Sequence, residues 1–263
     1  MEVAARLSSP LLSHLRTALA NEHVLTIADG WAELATAVRT RPVDVAIIDP
    51  YLDGKLQVDE IRVLLGQHPS VPVVLYLLAL SPETLQATVV LARYGITNVV
   101  LRGFDDEPRR LTELLERVPA YGLSAGLLRI LEPRLADAPA LLRGTIHQLF
   151  NSPHSFRSVA DLAQAAGMTR RNLDRWLESH DLASARMMLL GARIVRAMYY
   201  MQDPGCLLDD IARKLGYESP RLFARQVRAA TGMMPSVLRE TTEPEMLMEQ
   251  LAARLCRRGE IGV

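Results

Sequence analysis

One pattern is written twice in the C-terminal half of this chain, at residues 158–177 and 208–227. Laid over one another, Leu162-Ala163 corresponds to Ile211-Ala212, Gly167 to Gly216, Thr169 to Ser219 and Arg175 to Arg225. Each copy reads as two short helices joined by a sharp turn. Leu162 and Ile211 belong on the inner face of the first helix. Ala163 and Ala212 are small where the two helices must cross closely. Gly167 and Gly216 fall just past the first helix, where the backbone is expected to turn left-handed. Thr169 and Ser219 then stand where a hydroxyl can accept from free N–H groups at the start of the second helix. Leu173 and Phe223 point back into the core, with Trp176 and Val227 about one turn further on.

The remaining face of each second helix is left for something else. It carries Arg170, Arg171, Asn172, Asp174 and Arg175 in the first copy, and Pro220, Arg221, Ala224, Arg225 and Arg228 in the second. Arginine can pair in bidentate fashion with a guanine edge, and asparagine with adenine. Arginines that miss a base still meet phosphate. Asp174 is unusual on a surface meant for a polyanion; it would accept from a cytosine amino group or orient a neighbouring arginine. A single charged helix face is usually just solvated. Two in register, both arginine-bearing, point instead to two helix-turn-helix units that read two successive stretches of major groove. The expected DNA-contacting residues are Arg170, Arg171, Asn172, Asp174, Arg175, Ser219, Pro220, Arg221, Arg225 and Arg228, and the expected partner is double-stranded DNA.

This tandem resembles the DNA-binding domain of the AraC/XylS family of bacterial transcription regulators. The likeness rests on the two units, on the segment from Ala185 to Met201 with Arg193 and Ala197 four residues apart, and on Gly232-Met233-Met234-Pro235-Ser236-Val237-Leu238-Arg239. It implies a rigid linker helix holding both recognition helices on one side of the duplex, about one helical turn (~34 Å) apart. It also implies base-contacting positions at Arg171, Asp174, Arg175, Pro220, Arg221 and Arg225. The chain departs from the family's usual pattern at Arg175-Trp176-Leu177 and at Phe223-Ala224-Arg225-Gln226-Val227-Arg228, and Asp174 and Pro220 leave the target sequence open.

At 263 residues, with 49% hydrophobic and 23% charged residues, the chain has room for two ordinary domains, each with its own core. Its zero net charge hides an asymmetry. Direct counting gives about −3 for residues 1–150 and about +4 for residues 151–240, a basic reading head on a more acidic body. The two cysteines, Cys206 and Cys256, make no metal-ligand spacing. They argue for a reducing compartment and for buried, inert thiols. Glu2, Arg6 and Ser8-Ser9 interrupt any leader-like apolar run, and the stretch from Val71 to Leu80 is too short to span a bilayer. A cytoplasmic protein with no membrane association, no cofactor and no metal is therefore expected. A metabolic enzyme is the least expected class: there is no Gly-rich phosphate loop, and the six histidines are scattered.

Residues 1–118 alternate apolar runs with amphipathic ones. Strands are predicted at Val3–Leu7, Val24–Ala28, Val43–Ile48, Val73–Leu77 and Asn98–Leu101. Helices are predicted at Leu11–Ala20, Trp31–Arg39, Val58–Gly66, Pro82–Tyr94 and Pro108–Arg117. The fold class is thus α/β plus all-α: a doubly wound, five-stranded parallel sheet followed by a helical double helix-turn-helix domain. The first half resembles the receiver domain of two-component response regulators, with Asp49-Pro50-Tyr51-Leu52-Asp53-Gly54 in place of the phosphoacceptor and its loop. Yet Leu7-Ser8-Ser9 stands where the resemblance calls for the acidic magnesium pair, Leu77 where it calls for the switch hydroxyl, and Arg102 where it calls for lysine. Magnesium needs carboxylate oxygens and phosphoryl transfer needs the metal. The expectation is a degenerate receiver that forms a homodimer, through Arg93, Arg102, Asp105, Asp106 and Arg109 near the fourth and fifth helices, or binds a partner protein or small ligand. The alternatives are a working phosphoacceptor at Asp49 and a protein-interaction adaptor.

Residues 119–157 read as a linker containing one helix, Leu141–Phe150, packed on the first reading unit. The double unit occupies 158–240. Residues 241–263 form a C-terminal helix, starting at Thr241-Thr242-Glu243-Pro244 and carrying a stripe of Met246, Leu247, Leu251 and Leu255 that packs back on the body, with Arg254, Arg257 and Arg258 near its end.

Overall fold

The structure is a computed structural model that describes residues 1–19, 23–118, 123–241 and 244–256. It divides into two compact units, Met1–Ala120 with Gln202–Cys206, and Tyr121–Met201 with Leu207–Val263.

In the first unit five strands, β1 (Glu2–Arg6), β2 (Val24–Ile27), β3 (Val45–Ile48), β4 (Val73–Leu77) and β5 (Asn98–Leu101), form one parallel sheet in the order β2-β1-β3-β4-β5. That order places a topological switch point between β1 and β3, as in other doubly wound receiver-like folds. Helices α1 (Ser9–Ala18), α2 (Trp31–Thr40), α3 (Val58–Gln67), α4 (Pro82–Ala92) and α5 (Pro108–Arg117) connect and cover the strands. The central strands β3 and β4 are apolar on both faces because both faces are buried. Ala4, Ala46, Ile48 and Leu75 meet Leu34, Ile61 and Leu91 from α2, α3 and α4. Val3, Ala5, Ile47 and Tyr76 meet Leu11, Leu15, Leu111 and Leu115 from α1 and α5.

The second unit is all helical. It contains α6 (Leu123–Leu131), a 3-10 turn at Glu132–Arg134, α7 (Ala140–Asn151) and a second 3-10 turn at Pro153–Ser155. Then come α8 (Val159–Ala165), α9 (Arg170–Ser179), α10 (Ala185–Met201), α11 (Leu208–Lys214), α12 (Pro220–Thr231), α13 (Pro235–Thr241) and α14 (Pro244–Leu255). The stretch read as a linker thus holds a helix that the sequence reading missed. In α6, Leu127, Leu128 and Leu131 are buried and the Ser124 hydroxyl donates to the Phe150 carbonyl at 3.0 Å. Helix α7 packs on α8 and on α10, as expected of it. Helix α14 packs on α6 and α10. Its buried stripe is Leu247, Met248, Leu251 and Leu255, whereas Met246, counted in that stripe from sequence, is exposed. Gly191 of α10 makes the approach possible, since a Cβ there would come within 3.0 Å of Leu255 Cδ1. Thr242, Glu243, Arg257 and Arg258 lie outside the described residues.

Candidate nucleic-acid interface

Each reading unit is built from the turn outward. Helix α8 starts in a reciprocal cap: the Asp161 carboxylate accepts from Ser158 N–H at 3.0 Å, and Ser158 Oγ accepts from Asp161 N–H at 3.3 Å. The turns that follow pass through Gly167 at φ +65° and Gly216 at φ +74°. Thr169 Oγ1 then accepts from Asn172 N–H at 3.2 Å, and Ser219 Oγ from Leu222 N–H at 3.2 Å, so α9 and α12 begin with hydroxyl caps. Inside the units, Leu162, Ala163, Leu173 and Leu177 in the first correspond to Ile211, Ala212, Phe223 and Val227 in the second, and all eight are buried. The first unit therefore departs from the sequence reading at one position. Leu177, four residues after Leu173, fills the core, while Trp176 at i+3 is rotated to the rim and stacks on His180, with centroids 3.9 Å apart. A separation of four residues returns to the same stripe more closely than three when a helix buries a narrow face.

The outward faces carry the residues singled out for DNA. Arg170, Arg171, Asn172 and Arg175 are exposed on α9, and Pro220, Arg221, Arg225 and Arg228 on α12; Ser219 is half-buried at its cap. Among the described residues no hydrogen bond or ion pair engages the guanidinium of Arg170, Arg171, Arg175, Arg221, Arg225 or Arg228. They line two open hollows, one along α9 with Asp174 and Glu178, the other along α12 with Leu222, Ala224 and Met234. Of the thirty lysines and arginines in the chain only Lys55 and Lys214 are lysine, and Lys214 is buried. The exposed cations of both hollows are thus planar forks suited to guanine edges and phosphates.

Asp174 has another engagement. Its Oδ1 accepts from Ala185 N–H at 2.9 Å, the first residue of α10. A side chain on α9 therefore caps α10, a role that one sequence alone does not show because the partner lies eleven residues on. Helix α10 is also fastened to both units further along. The Arg193 guanidinium donates to the carbonyls of Phe156 and Arg157, both at 3.0 Å, just before α8. The same guanidinium lies 5.2 Å from the centroid of Tyr217 in the turn of the second unit. The buried Tyr217 hydroxyl bonds Gln226 Oε1 on α12 at 3.1 Å. Burial raises the Tyr217 hydroxyl above its ordinary range, with Arg193 opposing, so it stays a donor near neutral pH. Arg196 and Lys214 lie 4.9 and 4.3 Å from the centroid of Tyr200. Seventeen residues of helix span about 25 Å, and both ends are held by named side chains.

In the first unit Asp49 follows β3 at the carboxyl edge of the sheet and is buried. Its Oδ1 accepts from Tyr51 N–H at 3.0 Å. Arg6 at the end of β1, whose carbonyl accepts from Asp49 N–H at 2.9 Å, is buried too. Its guanidinium donates to Asp53 at 2.6 Å and to Gln57 at 3.0 Å, and lies 4.7 Å from the Trp31 ring centroid. Gln57 also bonds Asp53 and accepts from the Trp31 indole at 3.1 Å. Hydrogen bonding from Gln57 and then Arg6 holds the Asp53 carboxyl below its ordinary range. Among the described residues no group of three or more acidic, histidine or cysteine side chains could hold a metal. At this edge Arg6 engages the Asp53 carboxylate, and Leu7-Ser8-Ser9 after β1 bring no carboxylate. Arg102 points elsewhere, its Nη2 lying 3.4 Å from His14 Nε2.

Residues 162–241 match a family model described as a helix-turn-helix domain. The match covers less than a third of the chain and spans both units. No curated protein matches the chain. Among solved structures, NtrX from Brucella abortus in complex with ADP is similar at 15% identity, with 97% of this chain and 81% of that chain covered and a TM-score of 0.42. Full-length FixJ from B. japonicum is similar at 13% identity, with 88% and 98% covered and a TM-score of 0.40. Both likenesses are loose over the whole chain. The second unit is a DNA-binding domain of the helix-turn-helix class. It follows a doubly wound α/β unit, and the helix-turn-helix match supports DNA-binding transcription regulation. No helix among the described residues is long and apolar enough to cross a membrane.

Proposed function

We propose that this protein binds duplex DNA through α9 and α12 together, reading two successive major-groove segments. The receiver-like half, within residues 1–118, sets oligomeric state or meets a partner without phosphoryl transfer. The observation that carries the DNA reading is the pair of hydroxyl-capped helices, each presenting unengaged arginines on one outward face. Arg171, Arg175, Arg221 and Arg225 are assigned to base edges. Arg170 and Arg228, with the helix N-termini at Thr169 and Ser219, are assigned to phosphates. The phosphorylation-independent reading is supported by the Arg6–Asp53–Gln57–Trp31 cluster at the sheet edge. The homodimer is assigned to α4 and α5, where Leu85 and Val89 are exposed one turn apart on α4, beside the exposed Arg93 and Arg109.

The test is retention of duplex DNA by the full chain as salt rises. Specific binding should weaken steeply with salt, as expected where several phosphates are neutralised. Incubation with a small phosphodonor and magnesium should leave the intact mass unchanged. Salt-insensitive behaviour without DNA retention would transfer the helical unit to protein partners, and a gain of one phosphoryl mass would make Asp49 an acceptor.

A further inference from the structure

The two reading units superpose with a constant offset of fifty residues from Thr169/Ser219 onward, and the outward faces differ at the centre. Where the first unit has Asn172, Asp174 and Glu178, the second has Leu222, Ala224 and Arg228. In the first unit the central carboxylate is spoken for by Ala185 N–H. Ala224 has no such duty. It stands between Arg221 and Arg225 on the helix, and lines an open hollow with Leu222, Ala229 and Met234 on the apolar side and Ser219, Arg221, Arg225 and Arg228 on the polar side. Met234, from the turn after α12, is 42% exposed. A hollow lined by both apolar side chains and cations suits a ligand that is charged outside and apolar at one spot.

Duplex DNA offers such a spot. In the major groove the edges of guanine, adenine and cytosine present donors and acceptors, and thymine alone adds a methyl group. A polar edge pressed on Leu222, Ala224 and Met234 would lose water without gaining a partner, which is costly. A thymine methyl would gain contact, and flanking guanines would meet Arg221 and Arg225. We infer that the second unit selects a thymine methyl on these apolar side chains, flanked by guanine, whereas the first unit has no counterpart for it. This rests on the DNA-binding reading and specifies it.

The experiment uses the full chain and a duplex selected from a random pool. The element read by α12 is the one whose contribution disappears in Arg225→Ala. Each thymine there is replaced in turn by deoxyuridine, which deletes the methyl and keeps the pairing. At one position the substitution should weaken binding on the order of fourfold, the worth of one buried methyl. In Ala224→Ser the ratio between thymine and uracil duplexes should fall towards one while the site is still bound. Thymine substitutions in the element read by α9 should have less effect. Equal affinity for thymine and uracil at every position of the α12 element, or an element without thymine, overturns the inference and leaves DNA binding intact. Failure to select any duplex overturns both. The comparison on the unaltered chain decides the matter even if Ala224→Ser folds poorly.

Discussion

At the scale of single residues, arginine is the chemistry on which the account rests. Arg175→Ala and Arg225→Ala should each weaken specific binding by about 1–3 kcal/mol if each makes a bidentate base contact. Anisotropy titrations against the selected duplex measure this, and unchanged affinity in both would remove them from the readout. These positions were legible because two copies placed the same residue type at the same register. Asp174 was legible as an anomaly only. Its partner, the amide of Ala185, is a backbone group, and sequence carries no sign of which backbone amide a carboxylate will find. The same blindness hid the partners of Asp106, which the sequence placed near a dimer face and the structure buries. That buried carboxylate accepts from the Tyr76 hydroxyl at 2.9 Å and from Gly103 N–H at 2.7 Å, with His14 Nδ1 at 3.2 Å. Burial pulls its pKa up, but these partners outweigh burial and hold it below the ordinary value. Its contribution to stability is therefore present above the unfolded carboxyl pKa of about 3.9 and is lost as pH falls through the lower folded value. Tyr76→Phe should cost about 1–3 kcal/mol at neutral pH. Denaturant titrations at successive pH values should show the gap to the unaltered chain narrowing as Asp106 protonates.

At the scale of elements, most of the first unit could be read from its apolar alternation. Strands β4 and β5 and helix α5 fall where the pattern put them, and the other elements shift by one or two residues at their ends. Helix α6 was missed because Pro119, Gly122 and Pro133 look like punctuation. Pro133 instead occupies a 3-10 turn after the helix, where its missing N–H costs nothing. The caps were readable from local chemistry. Thr169→Ala and Ser219→Ala should each cost about 1 kcal/mol of stability, seen as a lower denaturant midpoint. The joint between units was not readable, since it depends on Arg193, Tyr217 and Gln226 meeting in space. Tyr217→Phe keeps the ring under Arg193 and removes the bond to Gln226. It should leave affinity for the best site nearly unchanged and widen the tolerated spacing between the two DNA elements, measured on duplexes with one or two base pairs inserted. Undiminished spacing discrimination would mean that this contact does not set the phase.

At the scale of the whole molecule, charge and chemistry are divided between the halves. Six outward-facing arginines, unengaged among the described residues, stand on α9 and α12, while the sheet edge of the first unit neutralises its own buried arginine within a cluster. That division is what a regulator needs if one half reads DNA and the other presents a fixed surface to a second copy or a partner. The central claim is that two helices, held by one linker helix, read one DNA site together. Selection of bound duplexes from a random pool by the full chain, at two salt concentrations, tests it most directly. The account predicts enrichment of two short elements with centres about 10 bp apart, sharper at the higher salt. Enrichment of a single element, or of none, would contradict it.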